Sequence, residues 1–186
     1  VGGLEARVAE RTAILEHRTS QLEAAAQVSR QAASIRDVDG LLEVVAEQVA
    51  ARFGFYHVGI YLVNESGASA VLRASSPGGG ETLLAQGFRV DVGGASVVGQ
   101  VAASGRSHRV ADVQEDDFYL AVADLPETRS EVTLPLVARG DVIGVLDVQS
   151  AQGEAFSLED VTYLQAMADQ IALSICINLK QCRSTR

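Results

Sequence analysis

The sequence predicts an α+β domain that is preceded by one long helix. Three observations carry this prediction: residues 4–35 contain no proline or glycine, residues 134–150 show the pattern of an apolar hairpin, and a marked helix start follows at Ser157. A chain of 186 residues, 47% of them apolar, has room for one domain with a sizeable core and an appendage.

Charge and hydropathy narrow the functional classes. The formal net charge is −9, which argues against nucleic-acid binding and against contact with anionic membrane surfaces. The chain contains no apolar run of 18 residues and no basic-then-apolar leader at its start. Residues 1–36 hold four acids and five bases, whereas the remainder holds twenty and ten. This shift predicts a helical linker over 1–36, a globular domain over 37–182 and a tail over 183–186.

The N-terminal helix has a partial heptad pattern. Val8, Leu15 and Leu22 recur every seven residues, which predicts a parallel coiled coil and therefore a homodimer through these side chains. Arg11 and Arg18 fall on the other seam position and would weaken the coiled coil, as suits an element that shifts. The alternative is a solvated helix that merely precedes the domain.

A second helix and a strand hairpin come next. Asp37 or Asp39 can cap the helix, and Gly54 ends it. Residues 57–63 and 68–76 alternate as two strands around a turn. The predicted inward face of the helix comprises Leu41, Leu42, Val45, Val49 and Phe53.

The middle of the chain is less regular. We expect a flexible loop at 77–80, a short strand within 87–92 and a brief helix over 97–105. Residues 108–110 predict an edge strand, and the acidic stretch 112–125 is expected to be partly helical. Long connections of this kind within a compact domain are usually functional.

The last hairpin and helix give the clearest local signals. Gly140 with Asp141 suits a tight turn, and Gly144 inside the second strand marks a bulge or a close backbone approach. Ser157 and Asp160 have the spacing of a capping box, so a helix should start there and run to about Cys182.

This final helix is apolar on more than one side. A helix that covers one sheet needs a single apolar stripe, so the excess predicts a second surface against the same helix of a partner subunit. The alternative is that the chain's own first helices cover both sides. The predicted dimer residues on this helix are Ile171, Ile175 and Leu179.

The whole order of elements resembles the GAF domains of bacterial signalling proteins over residues 37–180. The resemblance implies a six-stranded antiparallel sheet with the terminal helices packed on one face and a possible ligand pocket on the other. Residues 4–12 also resemble the helical linkers of membrane-anchored bacterial sensor histidine kinases, which implies a cytoplasmic fragment of a longer sensor. The segments that carry the GAF resemblance are 58–63, 94–105, 129–136, 143–148 and 156–160.

The known chemistries of the family find little support in this sequence. Cyclic-nucleotide-binding members carry an Asn-Lys pair where this chain has Gln149 and Ser150, and only the family's Phe and Asp, here Phe156 and Asp160, are kept. The resemblance thus argues against cyclic nucleotides.

The sequence also gives no support for the cysteine-based or histidine-based functions of the family. Some family members use pocket cysteines to attach bilins or to reduce methionine sulfoxide, but Cys176 and Cys182 lie near the C-terminus and should not reach a pocket beyond the sheet. Other members bind haem through a histidine, yet His17, His57 and His108 show no metal-ligand spacing. We therefore expect no metal, no cofactor and no enzymatic activity.

The predicted pocket lies on the sheet face away from the helices, under the segment 107–133. Strand alternation places Tyr61 and Arg73 there, and the irregular segment adds Phe118, Tyr119, Arg129, Ser130 and Thr133. Arg129 can hold an anionic group, with an ion pair to Glu127 or Asp124 as the alternative. We expect no partner residues to converge on Asp147 or Gln149.

Together with these patterns, the resemblance implies a non-catalytic sensory module that dimerises through its terminal helices, relays a signal to an output domain and can bind an unknown small molecule. The alternative is a structural spacer without a ligand. An open cavity lined by Arg129 and Ser130 would favour the sensor, and a pocket filled by Phe118 and Tyr119 would favour the spacer.

Overall fold

The structure is a computed structural model that describes residues 2–32 and 38–184. Its helices are α1 (Gly2–Ala32), α2 (Val38–Phe53), α3 (Gly80–Ala85), α4 (Val97–Ser104) and α5 (Leu158–Ser184). Its strands are β1 (His57–Val63), β2 (Ser69–Ser75), β3 (Arg89–Asp91), β4 (His108–Val110), β5 (Ser130–Ala138) and β6 (Asp141–Ser150). Among these described helices, none combines the length and apolar character that a membrane span requires.

The strands form one six-stranded antiparallel sheet in the order β3-β2-β1-β6-β5-β4. This confirms the predicted sheet, with β4 at its edge. β6 lies in the middle of the sheet, and most of its residues are buried on both faces. β3 and β4, with three residues each, form the two edges. Short edge strands limit pairing with other chains.

The main core lies between one face of the sheet and the helices α2 and α5. α2 buries Leu41, Leu42, Val45 and Val49, as the helical spacing predicts, and Gly54 ends it with φ of +69°. The sheet contributes alternate apolar residues from β1, β5 and β6, and α5 covers them with one stripe. The members from α5 are Leu164, Met167, Ala168, Ile171, Ala172 and Ile175.

The long N-terminal helix is present, although residues 33–37, including the predicted cap Asp37, lie outside the described part. α1 rests beside the start of α5, where Arg18 forms a 2.7 Å ion pair with Glu159 and the Tyr163 hydroxyl donates to the Gln21 carbonyl. Both partners of the ion pair are exposed, so it contributes less than about 1 kcal/mol.

The predicted dimer residues fall into three groups. Val8, Leu15 and Leu22 are exposed on α1, so they are free to meet a partner. Ile171 and Ile175 are buried in the chain's own core, so their assignment to a dimer face is wrong. The side chain of Leu179 lies outside the described residues.

The second apolar surface predicted for α5 is present, but it is formed by other residues than the predicted dimer residues. Leu173 and Ile177 are exposed, at 54% and 49%, on the side of α5 that faces away from the sheet. The excess apolar character of this helix therefore belongs to these two residues rather than to Ile171 and Ile175.

The turn and cap signals in the C-terminal half are confirmed. Arg139 and Gly140 both have positive φ, +57° and +91°, which gives the β5–β6 hairpin its two-residue turn. Ser157 and Asp160 cap α5 reciprocally: the Ser157 N–H donates to Asp160 at 2.8 Å, and the Asp160 N–H donates to Ser157 Oγ at 3.1 Å.

Two middle segments differ from their predictions. Residues 77–80 do not form the predicted flexible loop throughout, because Gly80 is the first residue of α3. Gly80 packs so closely that an added Cβ would lie 1.6 Å from Ser75 Oγ. Residues 111–129 form a series of turns without the expected helix. Their acidic side chains bond to nearby backbone N–H groups instead, as Asp112 does to Gln114 and Asp116 to Phe118.

Candidate functional site

A small cavity lies on the sheet face opposite α2 and α5. The sheet forms its floor, and β3, the start of α4 and the segment 111–129 cover it. Its accessible volume is about 30 Å³, which holds little more than one water molecule. The lining residues are Tyr61, Phe88, Val90, Ser96, Val97, Val98, Leu120, Val122, Glu131, Asp147 and Gln149.

Four polar side chains of β5 and β6 form a buried network on this floor. β5 and β6 pair so that Glu131 faces Gln149 and Thr133 faces Asp147. Thr133 Oγ1 lies 2.9 Å from Glu131 Oε1 and 3.0 Å from Asp147 Oδ1, and the Gln149 amide donates to Asp147 Oδ2 at 2.7 Å. The exposed fractions of all four are 7% or less.

The covering segment is tied to this network. Thr128 Oγ1 lies 2.6 Å from Gln149 Oε1 and 3.2 Å from the Leu125 carbonyl. Tyr119 lies in the same segment, and burial raises the pKa of this tyrosine. The bonds at Thr128 therefore connect the segment 111–129 to β6.

Two carboxyl groups lie side by side in this network without a basic partner. Burial raises the pKa of Glu131 well above its ordinary value, and the neighbouring Asp147 carboxyl adds to the effect. Within the described part of the chain, no ion pair reaches either group, and no lysine or arginine is buried. Glu131 therefore keeps a proton that an exposed glutamate would lose.

His57 lies beside the same network with an unsatisfied ring nitrogen. Its exposed fraction is 1%, and its Nε2 has no hydrogen-bond partner. Nε2 lies over Gly59, where an added Cβ would be 3.2 Å away, and Gly59 is the residue that faces Asp147 across the β1–β6 pairing. Burial lowers the pKa of His57, so its ring is held neutral.

Three of the predicted ligand residues lie at or beside this cavity. Tyr61 lines it, and burial raises its pKa well above the ordinary value. Thr133 belongs to the polar floor. Tyr119 lies close enough to Glu131 and Asp147 for their charges to affect it.

The structure places Arg73 and Ser130 away from the cavity, so both predictions are wrong. β1 residues Ile60 and Tyr61 face Ala74 and Leu72, which leaves Arg73 as the extra residue of a bulge, bonded to Asp39 of α2 at 2.5 Å. Ser130 lies on the helix face, where its hydroxyl donates to the Gln152 carbonyl at 2.6 Å.

Arg129 and Phe118 also differ from their predicted roles. The Arg129 side chain is exposed and does not line the cavity, and it forms no ion pair with Glu127 or Asp124 among the described residues. Phe118 is 40% exposed and packs edge-on against His108. The cavity is neither open and lined by Arg129 and Ser130, as expected for the sensor, nor filled by Phe118 and Tyr119, as expected for the spacer. Leu120 and Val122 form its cover instead.

The sequence interpretation missed Glu131, Asp147, Gln149 and His57. The expectation that nothing converges on Asp147 and Gln149 is wrong, since Thr133 bonds to Asp147 and Thr128 bonds to Gln149. A signal was present: two polar residues stand two positions apart in each of these mostly apolar strands, at 131 and 133 in β5 and at 147 and 149 in β6. This spacing puts them on one face.

The described residues place no thiol at the cavity and form no metal-binding cluster. Cys176 is half-buried in α5, on the opposite side of the sheet from the cavity, and the side chain of Cys182 lies outside the described part. Nowhere in the described chain do three His, Cys, Asp or Glu side chains gather in a way that could hold a metal ion.

Comparison with known proteins decides the family. A family model for the GAF domain matches residues 35–175. The chain belongs to the GAF domain family. The match spans the sheet, both faces and most of α5, so the resemblance expected from the sequence is confirmed for the domain.

This chain is also similar to individual proteins, one by sequence and others by structure. A Dictyostelium discoideum protein, GAF domain-containing protein A, is 28% identical over 137 residues, which are 68% of this chain and 80% of that protein. The free methionine-R-sulfoxide reductase of Neisseria meningitidis, solved with its substrate, is 27% identical with a TM-score of 0.75, over 87% of this chain and 91% of the reductase. The GAF domain of a Coxiella burnetii phosphoenolpyruvate-protein phosphotransferase is 16% identical with a TM-score of 0.79, over 89% and 98%.

Proposed function

We propose that this GAF domain is a non-catalytic regulatory module that binds a small molecule in the cavity under the segment 111–129. The observation that carries the proposal is the buried polar floor made by Glu131, Thr133, Asp147 and Gln149. GAF domains are generally regulatory or sensory modules, and one structural relative is part of a methyl-accepting chemotaxis protein.

The polar floor argues against a spacer that binds nothing. Burying a carboxyl group costs free energy unless hydrogen bonds or an opposite charge compensate it. The opposite face of the same strands is filled with Val132, Leu134, Leu146 and Val148, which shows the apolar solution that a purely structural sheet would use on both sides. The polar residues therefore need a reason beyond stability, and a ligand supplies one.

The cavity must open before it holds more than water. Its cover includes Leu120, which is 46% exposed, and the segment around it has no regular helix or strand. Few buried contacts and no secondary structure are the features of a segment that opens at low free-energy cost. We propose that the segment 111–129 moves to admit the ligand and closes through Thr128.

A second candidate is a methionine sulfoxide reductase, because the Neisseria enzyme is 27% identical to this chain over most of its length. The position of the cysteines favours the non-catalytic function. The sequence has two cysteines, Cys176 and Cys182, and both belong to α5. No thiol therefore stands in the strands or loops that form the cavity, where a nucleophile would have to act.

The proposed relay runs through the helices on the far side of the sheet. α2 and α5 share one core with β1, β5 and β6, so a shift of the sheet changes their packing, and α1 contacts the start of α5. We propose that α1 forms a parallel homodimer through Val8, Leu15 and Leu22 and passes the shift to an output domain, such as a histidine kinase, in a membrane-anchored sensor.

Native mass spectrometry tests ligand binding. Protein purified without denaturation is expected to carry a small molecule that disappears on denaturation, and Asp147→Asn is expected to lose it. Glu65→Gln, in the exposed β1–β2 turn, serves as the control. Wild-type protein that retains nothing, and that binds no member of a broad metabolite mixture, contradicts the proposal.

Two further experiments test the other parts. The reductase alternative predicts turnover of free methionine-R-sulfoxide with a thiol reductant, and we expect none. For the dimer, Leu15→Cys in a Cys176→Ser/Cys182→Ser background is expected to crosslink on oxidation, whereas the neighbouring exposed Glu16→Cys is not. Equal crosslinking at both positions would rule out the predicted seam.

A further inference from the structure

The Glu131 and Asp147 carboxyls have too few protein donors to be charged together. Thr133 has a single hydroxyl proton, yet its Oγ1 lies within 3.0 Å of an oxygen of each carboxyl. Gln149 donates one hydrogen bond, to Asp147. The Thr133 proton can serve only one of the two carboxyls, and burial beside Asp147 raises the pKa of Glu131, so Glu131 is the group that holds a proton of its own.

We infer that the cavity binds a small organic monocation, an ammonium group on an apolar body, and that this cation replaces a proton held between Glu131 and Asp147. The inference rests on the proposed function, because it names the ligand class of the same cavity. In the exchange, Glu131 releases its proton to solvent as the ammonium group arrives. The net charge of the site is the same before and after, so the exchange leaves no additional uncompensated charge in the buried floor.

An unsatisfied polar atom lies beside the cavity. His57 Nε2 is buried without a partner, and it lies over Gly59, next to Asp147 on the neighbouring strand. The pKa of His57 is lowered by burial, so its neutral ring can accept a hydrogen bond if the proton is on Nδ1. An ammonium group has three donors, and the cavity floor offers the oxygens of Glu131, Asp147 and Gln149 as acceptors, with the His57 ring directly behind Gly59.

The remaining walls define the rest of the ligand. Phe88, Val97, Leu120 and Val122 line the cavity around the polar floor, so the part of the ligand beyond its cationic group should be apolar. These walls also disfavour Mg²⁺ or Ca²⁺, which keep several waters or take six to eight oxygen ligands. An organic ammonium ion satisfies both the floor and the walls.

The charged and titratable groups around Glu131 come from every element that packs against it. β6 provides Asp147, and β1 provides Tyr61. His57 of β1 is influenced by Asp147 and by Glu81 of α3. The covering segment provides Tyr119 and Asp116, and Asp116 already bonds to His108 of β4 at 2.7 Å. No lysine or arginine from these elements pairs with Glu131 or Asp147 within the described chain.

Isothermal titration with a matched set of probes tests the inference. The probes are the n-alkylammonium chlorides from methyl to hexyl, the alcohols of the same length and the carboxylates of the same length. The ammonium series is expected to bind at least tenfold more tightly than the alcohols, and the carboxylates are expected not to bind. Equal affinity of an alcohol and its ammonium counterpart, or no ammonium binding at millimolar concentration, overturns the inference.

Proton release gives a second readout. Titration in phosphate and in HEPES should reveal one proton released per cation bound, and affinity should rise up to tenfold per pH unit while free Glu131 is protonated. Glu131→Gln has the charge of the protonated residue, so it should bind with the weak low-pH affinity at every pH and release no proton. Glu65→Gln should behave as the wild type, and a pH-independent wild-type affinity would contradict the exchange.

The two proposals fail in distinguishable ways. A retained neutral or anionic molecule that Asp147→Asn still binds would overturn the cation and leave a ligand-binding function in place. A protein that retains nothing and binds no probe of any charge would overturn both. Circular dichroism of each variant confirms that a loss of binding is not a loss of fold, and Asp147→Asn replaces Glu131→Gln if the latter does not fold.

Discussion

Thr128 and Gln149 form a 2.6 Å hydrogen bond between the covering segment and the central strand β6. Thr128 is buried, and the Gln149 amide it holds is the one that donates to Asp147. One hydrogen-bond network therefore joins the cover of the cavity to its polar floor. A movement of the segment 111–129 should change the hydrogen bonds of Gln149 and Asp147, and the reverse should hold.

Removing this bond should loosen the cover. Thr128→Val keeps the shape but leaves the Gln149 carbonyl without its donor, which should cost about 1–3 kcal/mol of unfolding free energy. Hydrogen exchange in the segment 111–129 should become faster as well. Thr162→Val, at an exposed site on α5, is the matched control and should change stability by less than about 0.5 kcal/mol in urea titrations. Equal effects of the two variants would show that the Thr128–Gln149 hydrogen bond does not hold the segment 111–129 in place.

The raised pKa of Glu131 predicts how stability depends on pH. Above the ordinary glutamate pKa of 4.5, the unfolded chain loses this proton while the folded chain keeps it. The free energy of unfolding should therefore fall as pH rises from 4.5 to the raised value in the fold, by up to about 1.4 kcal/mol per pH unit. Glu131→Gln should remove this slope, whereas Glu65→Gln should retain it. An unchanged slope in Glu131→Gln would place the proton elsewhere.

His57 predicts the opposite dependence. Burial lowers its pKa below the ordinary 6.5, so between its folded value and 6.5 the unfolded chain binds a proton that the folded chain does not. Stability should therefore decrease as pH falls below 6.5. His57→Gln, which cannot take up this proton, should flatten that limb in denaturant titrations at several pH values. An identical acid limb in the variant would mean that His57 is not held neutral.

Local sequence signals predicted most of the fold but not the site. The strands at 57–63 and 108–110, the helix closed by Gly105 and the capping box at Ser157 depend on neighbouring residues only, and the structure bears them out. The site depends on which face each strand residue takes, and a single bulge reverses that face.

Two irregularities show why. In β2, the bulge at Arg73 reverses the alternation of side chains between the two sheet faces. Regular pairing would place Arg73 opposite Tyr61 on the cavity face, and the bulge removes it from that face. In β5–β6, the register shifts after Leu136, so the turn at Gly140 alone would pair Asp147 one residue away from Thr133. Gly144 signals an irregularity beside the second shift but does not fix the register that results, and the Arg73 bulge has no such signal, because each register depends on how the whole sheet twists and packs.

Gly80 offers a test of the packing under α3. An added Cβ would lie 1.6 Å from Ser75 Oγ and 2.7 Å from the His57 ring, so Gly80→Ala must displace both. Overpacking of this kind should cost about 1–3 kcal/mol. Gly153→Ala is the matched control, since nothing lies within 4 Å of its added Cβ, and it should be near neutral. Thermal melts that show equal stability for the two variants would contradict the close approach.

The central claim is that the cavity between the sheet and the segment 111–129 is a ligand site. The most direct measurement is a crystal structure of natively purified protein, grown without added amines. We predict electron density for a small molecule whose cationic group lies within hydrogen-bond distance of both Glu131 and Asp147, with Leu120 and Val122 displaced outward to make room. Well-ordered density for water alone, under a closed segment, would contradict the claim.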